Sequence, residues 1–271
     1  MTDTPDLAAV ELFITEEALE PQAQVLAKEW QLSYGGCQAE HSGIPALWLV
    51  ADADTDYRLE LSHSIQDAKP LWVNFNSGRT AYRVKHGGGR HQAIAKAIGI
   101  KADLKPHVID ATAGLGRDGF ILAKLGCRVD YVERSAITAL LLQDGLRRAL
   151  MEADLSWVQQ RITLHCRDSI AYLREHSADV VYMDPMYPEK TKSALVKKEM
   201  RILRTLVGKD TDSAELLNVA LTRARKRVVV KRPKGAAPIT AAPFRPSHCI
   251  ETKSTRYDVY MIHADNNRHK P

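Results

Sequence analysis

The amino-acid sequence predicts an α/β protein built on a mostly parallel seven-stranded sheet, with an antiparallel hairpin at its C-terminal end. From about Val108 onward, short runs rich in Val, Ile and Tyr alternate with helical patterns, which is typical of a parallel sheet covered by helices. The runs are nearly continuous in apolar residues, as expected of strands buried on both faces. Residues 248–264 contain two strand patterns joined by a polar turn, and these predict the hairpin.

The elements of this larger part follow one another in regular alternation. Gly126 closes the first helix, as a glycine commonly does after a last helical turn. The predicted strands cover residues 107–112, 128–133, 161–169, 178–184 and 226–233, and the predicted helices cover residues 117–126, 135–151, 170–176 and 193–224.

The first eighty or so residues have a different pattern, which predicts a small α+β domain. An amphipathic helix is expected at residues 16–31, and strand candidates are residues 46–51, 57–63 and 70–75. Three glycines, Gly87 to Gly89, break any regular element after this part. We therefore expect a small domain over residues 1–86 and a larger one over residues 87–271.

The net charge of the 271-residue chain is +5 and its isoelectric point is about 8.9. This balance permits an anionic partner without demanding one. The acidic start of the chain lacks a signal-peptide pattern, and no apolar run approaches the roughly 20 residues of a membrane span. The four cysteines form no C-x-x-C pair. We expect a cytoplasmic protein with reduced thiols, without a metal site and without a membrane partner.

The segment "VIDATAGLGRDGFILAKLG" contains a G-x-G-x-x-G pattern at Gly114, Gly116 and Gly119. A strand that enters a glycine turn and then a helix places backbone N–H groups at the carboxyl edge of a parallel sheet, where ligands bind in such folds. The spacing alone is compatible with a dinucleotide. The neighbouring charges discriminate better than the spacing.

Two carboxylates, Asp110 and Asp118, flank the place that a pyrophosphate would occupy, and their charge argues against a dinucleotide. S-adenosylmethionine carries a sulfonium and an ammonium group, which suit an acidic pocket. Gly114 and Gly116 then let the main chain approach this cofactor. A nicotinamide dehydrogenase is disfavoured for the same reason. From its position alone, Asp118 is equally well explained as a favourable helix-start residue.

Other polar residues follow the next two strands. Glu133 ends the second strand, where an acidic side chain can accept both ribose hydroxyls of either nucleotide class. Asp168 and Ser169 follow the third strand, where contacts to an adenine are placed, although an exposed turn explains Asp168 as well. These residues support an adenosine moiety without choosing the cofactor.

The motif "MDPMYP" follows the fourth strand at the same sheet edge. Pro185 stiffens the chain where it leaves the sheet. Asp184 can accept the hydrogens of a planar exocyclic amine and orient its nitrogen, while Tyr187 stacks on the base. This chemistry needs neither a metal nor a covalent nucleophile. An ordinary Asp-Pro turn is the alternative, and the glycine loop upstream makes it the less favoured one.

Five segments carry a resemblance to a known family: "HGGGRHQAIAKAIGIK", "VIDATAGLGRDGFILAKLGCRV", "VVYMDPMYPEKTKSALVKKEMR", "KRVVVKRP" and "RYDVY". Over about Lys85 to Tyr260 the chain resembles the bacterial small-subunit ribosomal RNA methyltransferase J family. The resemblance implies a Rossmann-like class I S-adenosylmethionine-dependent methyltransferase fold. It also implies methylation of the N2 amine of one guanosine, position 1516, in 16S rRNA.

The resemblance also implies which residues contact the cofactor. For Asp118, whose position alone fits a helix-start role equally well, the resemblance implies a cofactor contact. The implied contacts are Arg117, Asp118, Glu133, Arg134, Asp168, Ser169 and Asp184. The chain departs from the family at Asp168, where a small hydroxyl residue is usual, and Met186 stands where the general amino-methyltransferase turn has a second proline.

Basic residues near the expected site predict contacts to the phosphates of 16S rRNA or of the small ribosomal subunit. The candidates are Lys190, Lys192, Lys197 and Lys198 after the Asp-Pro turn, and Arg90 beside the glycine hinge. A second basic stretch, residues 223–234, is another candidate for RNA contact. A solvated helix face explains residues 223–227 equally well.

The residues leave two other functions open. The Asp-Pro-x-Tyr chemistry serves any planar amine, so DNA adenine or a protein glutamine is an alternative acceptor. A non-catalytic RNA-binding protein on a methyltransferase scaffold is another, and the intact set of acidic residues and glycines argues against it. The sequence does not determine the oligomeric state.

Overall fold

The computed structural model describes residues 10–37, 45–62, 70–76, 82–83, 88–186, 211–239 and 243–262. These residues form two compact units. The first unit contains the described parts of residues 1–75 and 135–156, and the second contains those of residues 76–134, 157–188 and 210–271. The domain boundary expected between residues 86 and 87 stays a prediction. None of the helices in these ranges combines the length and the apolar character needed to cross a bilayer.

The helices and strands alternate along most of the chain. In order they are β1 (Glu11–Ile14), α1 (Glu20–Trp30), β2 (Ser33–Cys37), β3 (Ala46–Asp52), β4 (Asp56–Ser62), α2 (Ala93–Ile98), β5 (Val108–Asp110), α3 (Arg117–Lys124), β6 (Val129–Glu133), α4 (Ala136–Leu150), α5 (Val158–Arg161), β7 (Ile162–Cys166), α6 (Ser169–Glu175), β8 (Ala178–Met183), α7 (Ser213–Arg223), β9 (Ala224–Pro233), β10 (His248–Glu251) and β11 (Thr255–Met261).

The first unit contains a four-stranded sheet with the strand order β2-β1-β3-β4. Strand β4 is antiparallel to β3, and the other neighbouring pairs are parallel. The predicted helix and the first two predicted strands are present as α1, β3 and β4. Phe13 and Trp48 pack against each other in the core of this sheet, with ring centroids 5.1 Å apart.

One sequence-based expectation for this unit is wrong. Residues 70–75 form no strand, because Pro70 has no N–H to donate and only Leu71 makes an isolated bridge, to Leu61. Strands β1 and β2 were not expected. Strand β2 contains Gly35, and a Cβ at that position would lie 2.1 Å from a ring carbon of Phe13. Glycine has a low strand propensity. The residue that this close packing requires therefore makes the segment difficult to recognise as a strand from its sequence.

Helix α4 belongs to the first unit and is joined to its sheet by the buried side chain of Asp144. One carboxylate oxygen accepts hydrogen bonds from the backbone N–H of Leu59 at 3.0 Å and from Nε of Arg148 at 2.9 Å. The guanidinium of Arg147 donates to the other oxygen at 3.0 Å. A buried carboxylate is tolerated here because cationic and backbone donors satisfy both of its oxygens.

The second unit contains the predicted seven-stranded sheet, with the order β10-β11-β9-β8-β5-β6-β7. Strands β7, β6, β5, β8 and β9 are parallel, and β11 is antiparallel to both β9 and β10. The predicted C-terminal hairpin is therefore confirmed. Apolar side chains of the central strands, such as Ile109 and Val181, are completely buried, as the nearly continuous apolar runs predict.

The order of the strands determines where a ligand can bind. From β5 the chain moves outward on one side to β6 and β7, and then returns to the other side of β5 to form β8. Such a reversal opens a crevice at the carboxyl ends of the strands. Asp110 ends β5 and Asp184 follows β8, so the reversal brings both carboxylates to the same edge of the sheet.

Candidate active site

The glycine loop between β5 and α3 lies in this crevice. Gly114 and Gly116 have φ angles of 54° and 71°, which lie in the left-handed region that favours glycine. The backbone N–H of Gly114 donates a hydrogen bond of 2.8 Å to Oε2 of Glu133, the last residue of β6. The loop is thus tied to the neighbouring strand end, and a ligand can approach its main chain closely.

The third glycine of the motif, Gly119, has a packing role in α3. A Cβ at this position would lie 2.1 Å from Cε1 of Tyr131. Tyr131 is fully buried in β6, and its hydroxyl donates a hydrogen bond of 2.7 Å to the carbonyl oxygen of Gly116. Gly119 therefore lets the helix approach the strand closely enough for Tyr131 to hold the glycine loop.

We expect Gly119→Ala to lower the free energy of unfolding by about 1–3 kcal/mol, because the added methyl group forces Tyr131 to move in a packed core. Chemical denaturation of the purified protein measures this change. The double variant Gly119→Ala/Tyr131→Leu is the control, since leucine lacks the ring atoms that clash. The double variant should lose less stability than the sum of the two single variants, and simple additivity would contradict the packing argument.

Asp110 is a buried carboxyl group with few hydrogen-bond donors around it. Its side chain accepts one hydrogen bond of 3.3 Å from the backbone N–H of Thr112, and no Lys or Arg in the described ranges forms an ion pair with it. Burial raises the pKa of Asp110 well above its ordinary value, and the nearby carboxylate of Asp118 raises it further. A cationic ligand beside Asp110 would favour its ionised form.

Asp118, in the first turn of α3, is surrounded by donors. Its carboxylate accepts hydrogen bonds from Arg83 at 2.8 Å, from Nζ of Lys231 at 2.7 Å and from the hydroxyl of Tyr182 at 2.8 Å. Although burial alone would raise the pKa of Asp118, the two cations lower it to about 2. The charge of Asp118 is therefore compensated within the protein, and neither a helix-start role nor an acidic pocket predicts this pairing.

The Asp-Pro turn begins directly after β8, as predicted. The backbone N–H of Asp184 donates a hydrogen bond of 2.6 Å to Oγ1 of Thr112, and Oδ2 of Asp184 accepts one of 2.7 Å from Nζ of Lys231. The Asp184 side chain is 41% exposed, so it can still be reached from the crevice. Tyr187, Lys190, Lys192, Lys197 and Lys198 lie outside the described residues.

Lys231 is a functional candidate whose partners are not evident from the sequence. It belongs to the second basic stretch, but its ammonium group lies between the carboxylates of Asp118 and Asp184, and its side chain is only 27% exposed. The signal was present in the sequence: a lysine directly follows the apolar run of β9, where a strand enters the ligand edge of the sheet.

The other expected cofactor residues differ in their contacts and in their exposure. Asp168 caps α6 by accepting a hydrogen bond of 2.8 Å from the backbone N–H of Ala171, which fits the turn explanation. The hydroxyl of the buried Ser169 donates to the carbonyl oxygen of Ala111 at 2.6 Å, so this residue lies near the end of β5. Arg134 forms an ion pair of 2.8 Å with Asp212, and Arg117 is exposed at the start of α3.

The second basic stretch makes contacts within the protein, which its charge alone did not reveal. Lys226 pairs with Asp179 at 3.2 Å, and the guanidinium of Arg227 donates to the carbonyl oxygen of Ala97 at 3.0 Å. Similar internal contacts are made by Arg223, Arg225, Arg232 and Lys234. Arg90 lies exposed in a short 3-10 turn, Gly89–His91.

The residues at this edge fit an adenosyl cofactor that carries a positive charge. The glycine loop allows close approach of the main chain, Glu133 stands at the end of β6, and Asp110 is a buried carboxyl group without a contacting cation among the described residues. A dinucleotide would bring its phosphates against Asp110, which electrostatics disfavours.

Comparisons with known proteins identify the family of this chain. The family model "Putative SAM-dependent methyltransferase" matches residues 26–262. Ribosomal RNA small subunit methyltransferase J of Psychromonas ingrahamii is 45% identical over 262 residues, which cover 94% of this chain and 97% of that protein. The protein of the same name from Thioalkalivibrio sulfidiphilus is 46% identical over 266 residues, which cover 96% and 99% of the two chains.

A solved structure supports the same assignment. The crystal structure of a SAM-dependent methyltransferase from Neisseria gonorrhoeae is 32% identical, with a TM-score of 0.70, and the match covers 96% of this chain and 100% of that one. The expected Rossmann-like class I methyltransferase fold and the cofactor S-adenosylmethionine are thereby confirmed. The chain belongs to the ribosomal RNA small subunit methyltransferase J family.

Proposed function

We propose that this protein transfers a methyl group from S-adenosylmethionine to the exocyclic N2 amine of a guanosine in 16S rRNA, and that the target is position 1516. Its relatives named above, which are ribosomal RNA small subunit methyltransferases, support the substrate class. The observation that carries the proposal is the position of Asp184, which is held at the same sheet edge as the glycine loop by Thr112 and Lys231.

The proposed role of Asp184 is to orient the amine. The lone pair of an exocyclic amine is delocalised into the base, so the amine is a weak nucleophile. When bound, S-adenosylmethionine supplies the electrophilic methyl group. Among the described residues, Lys231 occupies Oδ2 of Asp184 and no donor occupies Oδ1. Oδ1 can therefore accept a hydrogen bond from the amine and stabilise the positive charge that develops on the nitrogen, which loses one proton to solvent once it carries the methyl group.

The remaining roles in this proposal come from residues around the turn. Pro185 restricts the backbone directly after Asp184, and Tyr187 stacks on the guanine, which must be unpaired or flipped to reach the site. The proposed phosphate contacts are Arg90, Lys190, Lys192, Lys197 and Lys198. Their contribution to RNA affinity should decrease as the salt concentration rises.

Replacing Tyr187 with alanine should weaken productive engagement of the RNA by about 1–3 kcal/mol, because one base loses its stacking partner. The change should appear in KM for the RNA, with the Kd for S-adenosylmethionine unaltered. Tyr187→Phe keeps the ring and is the matched control. If only the cofactor affinity changed, Tyr187 would belong to the cofactor pocket.

The direct test is methyl transfer from labelled S-adenosylmethionine to small ribosomal subunits and to naked 16S rRNA, both from cells that lack this protein. The labelled nucleoside is then identified and mapped. N2-methylguanosine at position 1516 is the expected product. Absence of label in both substrates, with cofactor binding intact, would refute the RNA substrate and direct the search to another planar amine, such as adenine in DNA or a protein glutamine.

A further inference from the structure

Lys231 and the two carboxylates that it contacts form a connected group across three elements. Asp118 lies in α3, Asp184 follows β8, and Lys231 lies near the end of β9. Val230 pairs with Met183 in the parallel ladder of β8 and β9, so the next residues along the two strands, Lys231 and Asp184, are neighbours. The ammonium group is 2.7 Å from a carboxylate oxygen of each aspartate.

The two ends of this group differ in how firmly they are held. Asp118 is buried and receives two further donors, from Arg83 and Tyr182. The Asp184 side chain is 41% exposed, and Lys231 is its only side-chain hydrogen-bond donor in the part of the chain that the structure describes. Because Lys231 contacts both carboxylates, the firmly held Asp118 restricts the position of the more exposed Asp184.

We propose that Lys231 is a positioning residue for methyl transfer, because its ammonium group joins the carboxylates of Asp118 and Asp184 and so fixes the orientation of Asp184. This inference rests on the function proposed above, in which Asp184 orients the acceptor amine. Lys231 touches neither the acceptor nor the methyl group in this role. It acts through Asp184.

The charges around Asp184 explain why a cation is needed at this point. Partial burial of Asp184 and the nearby carboxylate of Asp118 raise the pKa of Asp184 above its ordinary value, although the contact with Lys231 lowers it. The ionisable groups of the described residues that act on Asp184 are Lys231, Arg232, Asp110, Asp118, Tyr182 and Tyr257. Of these, Lys231 is the cation with the direct contact, and it favours the ionised carboxylate that accepts hydrogen bonds.

The test compares Lys231→Met with Lys231→Arg. In methyl transfer to small ribosomal subunits at neutral pH, we expect Lys231→Met to lower kcat on the order of 100-fold, as a misplaced orienting group does. KM for the subunits and the Kd for S-adenosylmethionine should change little. The acid limb of the pH profile of kcat should move to higher pH, because Asp184 loses the cation that favours its ionised form. Lys231→Arg should restore most of the activity.

The matched control is Lys124→Met, the same change at an exposed lysine in the last turn of α3, the helix that carries Asp118. It should leave kcat and its pH profile as in the wild type. Either of two results for Lys231→Met would overturn the proposal: wild-type turnover at every pH, or a loss by the same factor at every pH, which indicates a merely structural role.

A second measurement needs no RNA. In the protein labelled with ¹³C-aspartate, the carboxyl signal of Asp184, assigned with Asp184→Asn, should titrate at higher pH in Lys231→Met than in the wild type. An unchanged titration would overturn the inference. If the wild type fails to methylate the RNA, the proposed function fails, and this titration then decides the role of Lys231 by itself.

Discussion

Asp184→Ala should lower kcat for methyl transfer by about 10²- to 10³-fold, a loss comparable with removal of one preorganised transition-state contact. The amine loses the acceptor that orients its nitrogen toward the methyl group. Binding of S-adenosylmethionine should stay partly intact, because Asp118 keeps its contacts to Arg83, Tyr182 and Lys231. Single-turnover transfer of labelled methyl groups measures the rate, and calorimetry measures the binding.

The control for this variant is Asp103→Ala, which removes an exposed carboxylate from a loop of the same unit. It should transfer methyl groups at the wild-type rate. Asp184→Asn gives a further distinction, since it keeps an acceptor oxygen but not the charge that pairs with Lys231. Near-normal turnover of Asp184→Ala would remove this residue from the mechanism.

Asp110→Asn should have two opposite effects, which follow from the same buried charge. The Kd for S-adenosylmethionine should rise about tenfold to a hundredfold, the cost of losing one contact between a carboxylate and a cation, about 1.5–3 kcal/mol. The protein without cofactor should become more stable at neutral pH. Asparagine keeps the acceptor for the backbone N–H of Thr112, so the change removes the charge with little change of shape.

The pH dependence of this stability effect has a definite sign. Burial and Asp118 raise the pKa of Asp110 in the folded protein above its value in the unfolded chain. The folded state therefore binds more protons, and wild-type stability falls as the pH rises from the ordinary aspartate range, near about 3.9, through the raised pKa. The gain in stability of Asp110→Asn over the wild type should be absent below the ordinary aspartate range. It should grow as the pH rises from that range to the raised pKa.

Denaturation of Asp110→Asn and wild type in parallel, at acid and at neutral pH and without cofactor, measures the effect. A variant that is less stable than the wild type at neutral pH would contradict the burial argument. An unchanged Kd for S-adenosylmethionine would separate Asp110 from the cofactor. The two results are independent, so each part of the prediction can fail without the other.

The sequence alone determined the class of fold of the larger part, the cofactor and the family. Those conclusions depend on local information: the alternation of strand and helix patterns, the glycines after Asp110 and the Asp-Pro turn at Asp184. The glycine loop and the Asp-Pro turn each lie within one short segment, and each is recognisable because short-range geometry restricts the residue types there. Strand β2 is not recognisable from the sequence, because packing against Phe13 requires a glycine, Gly35, within the strand.

Only the tertiary structure decided how the charges are paired. Lys231 lies 113 residues from Asp118 and 47 from Asp184. The register of β8 and β9 makes Lys231 and Asp184 neighbours, and α3 contributes Asp118 to the same group. Lys226 pairs with Asp179 of the neighbouring strand β8, and Arg227 contacts Ala97 in α2. A charge run in a sequence does not show which side chains meet, because sheet order and strand register, and not distance along the chain, determine which charges become neighbours.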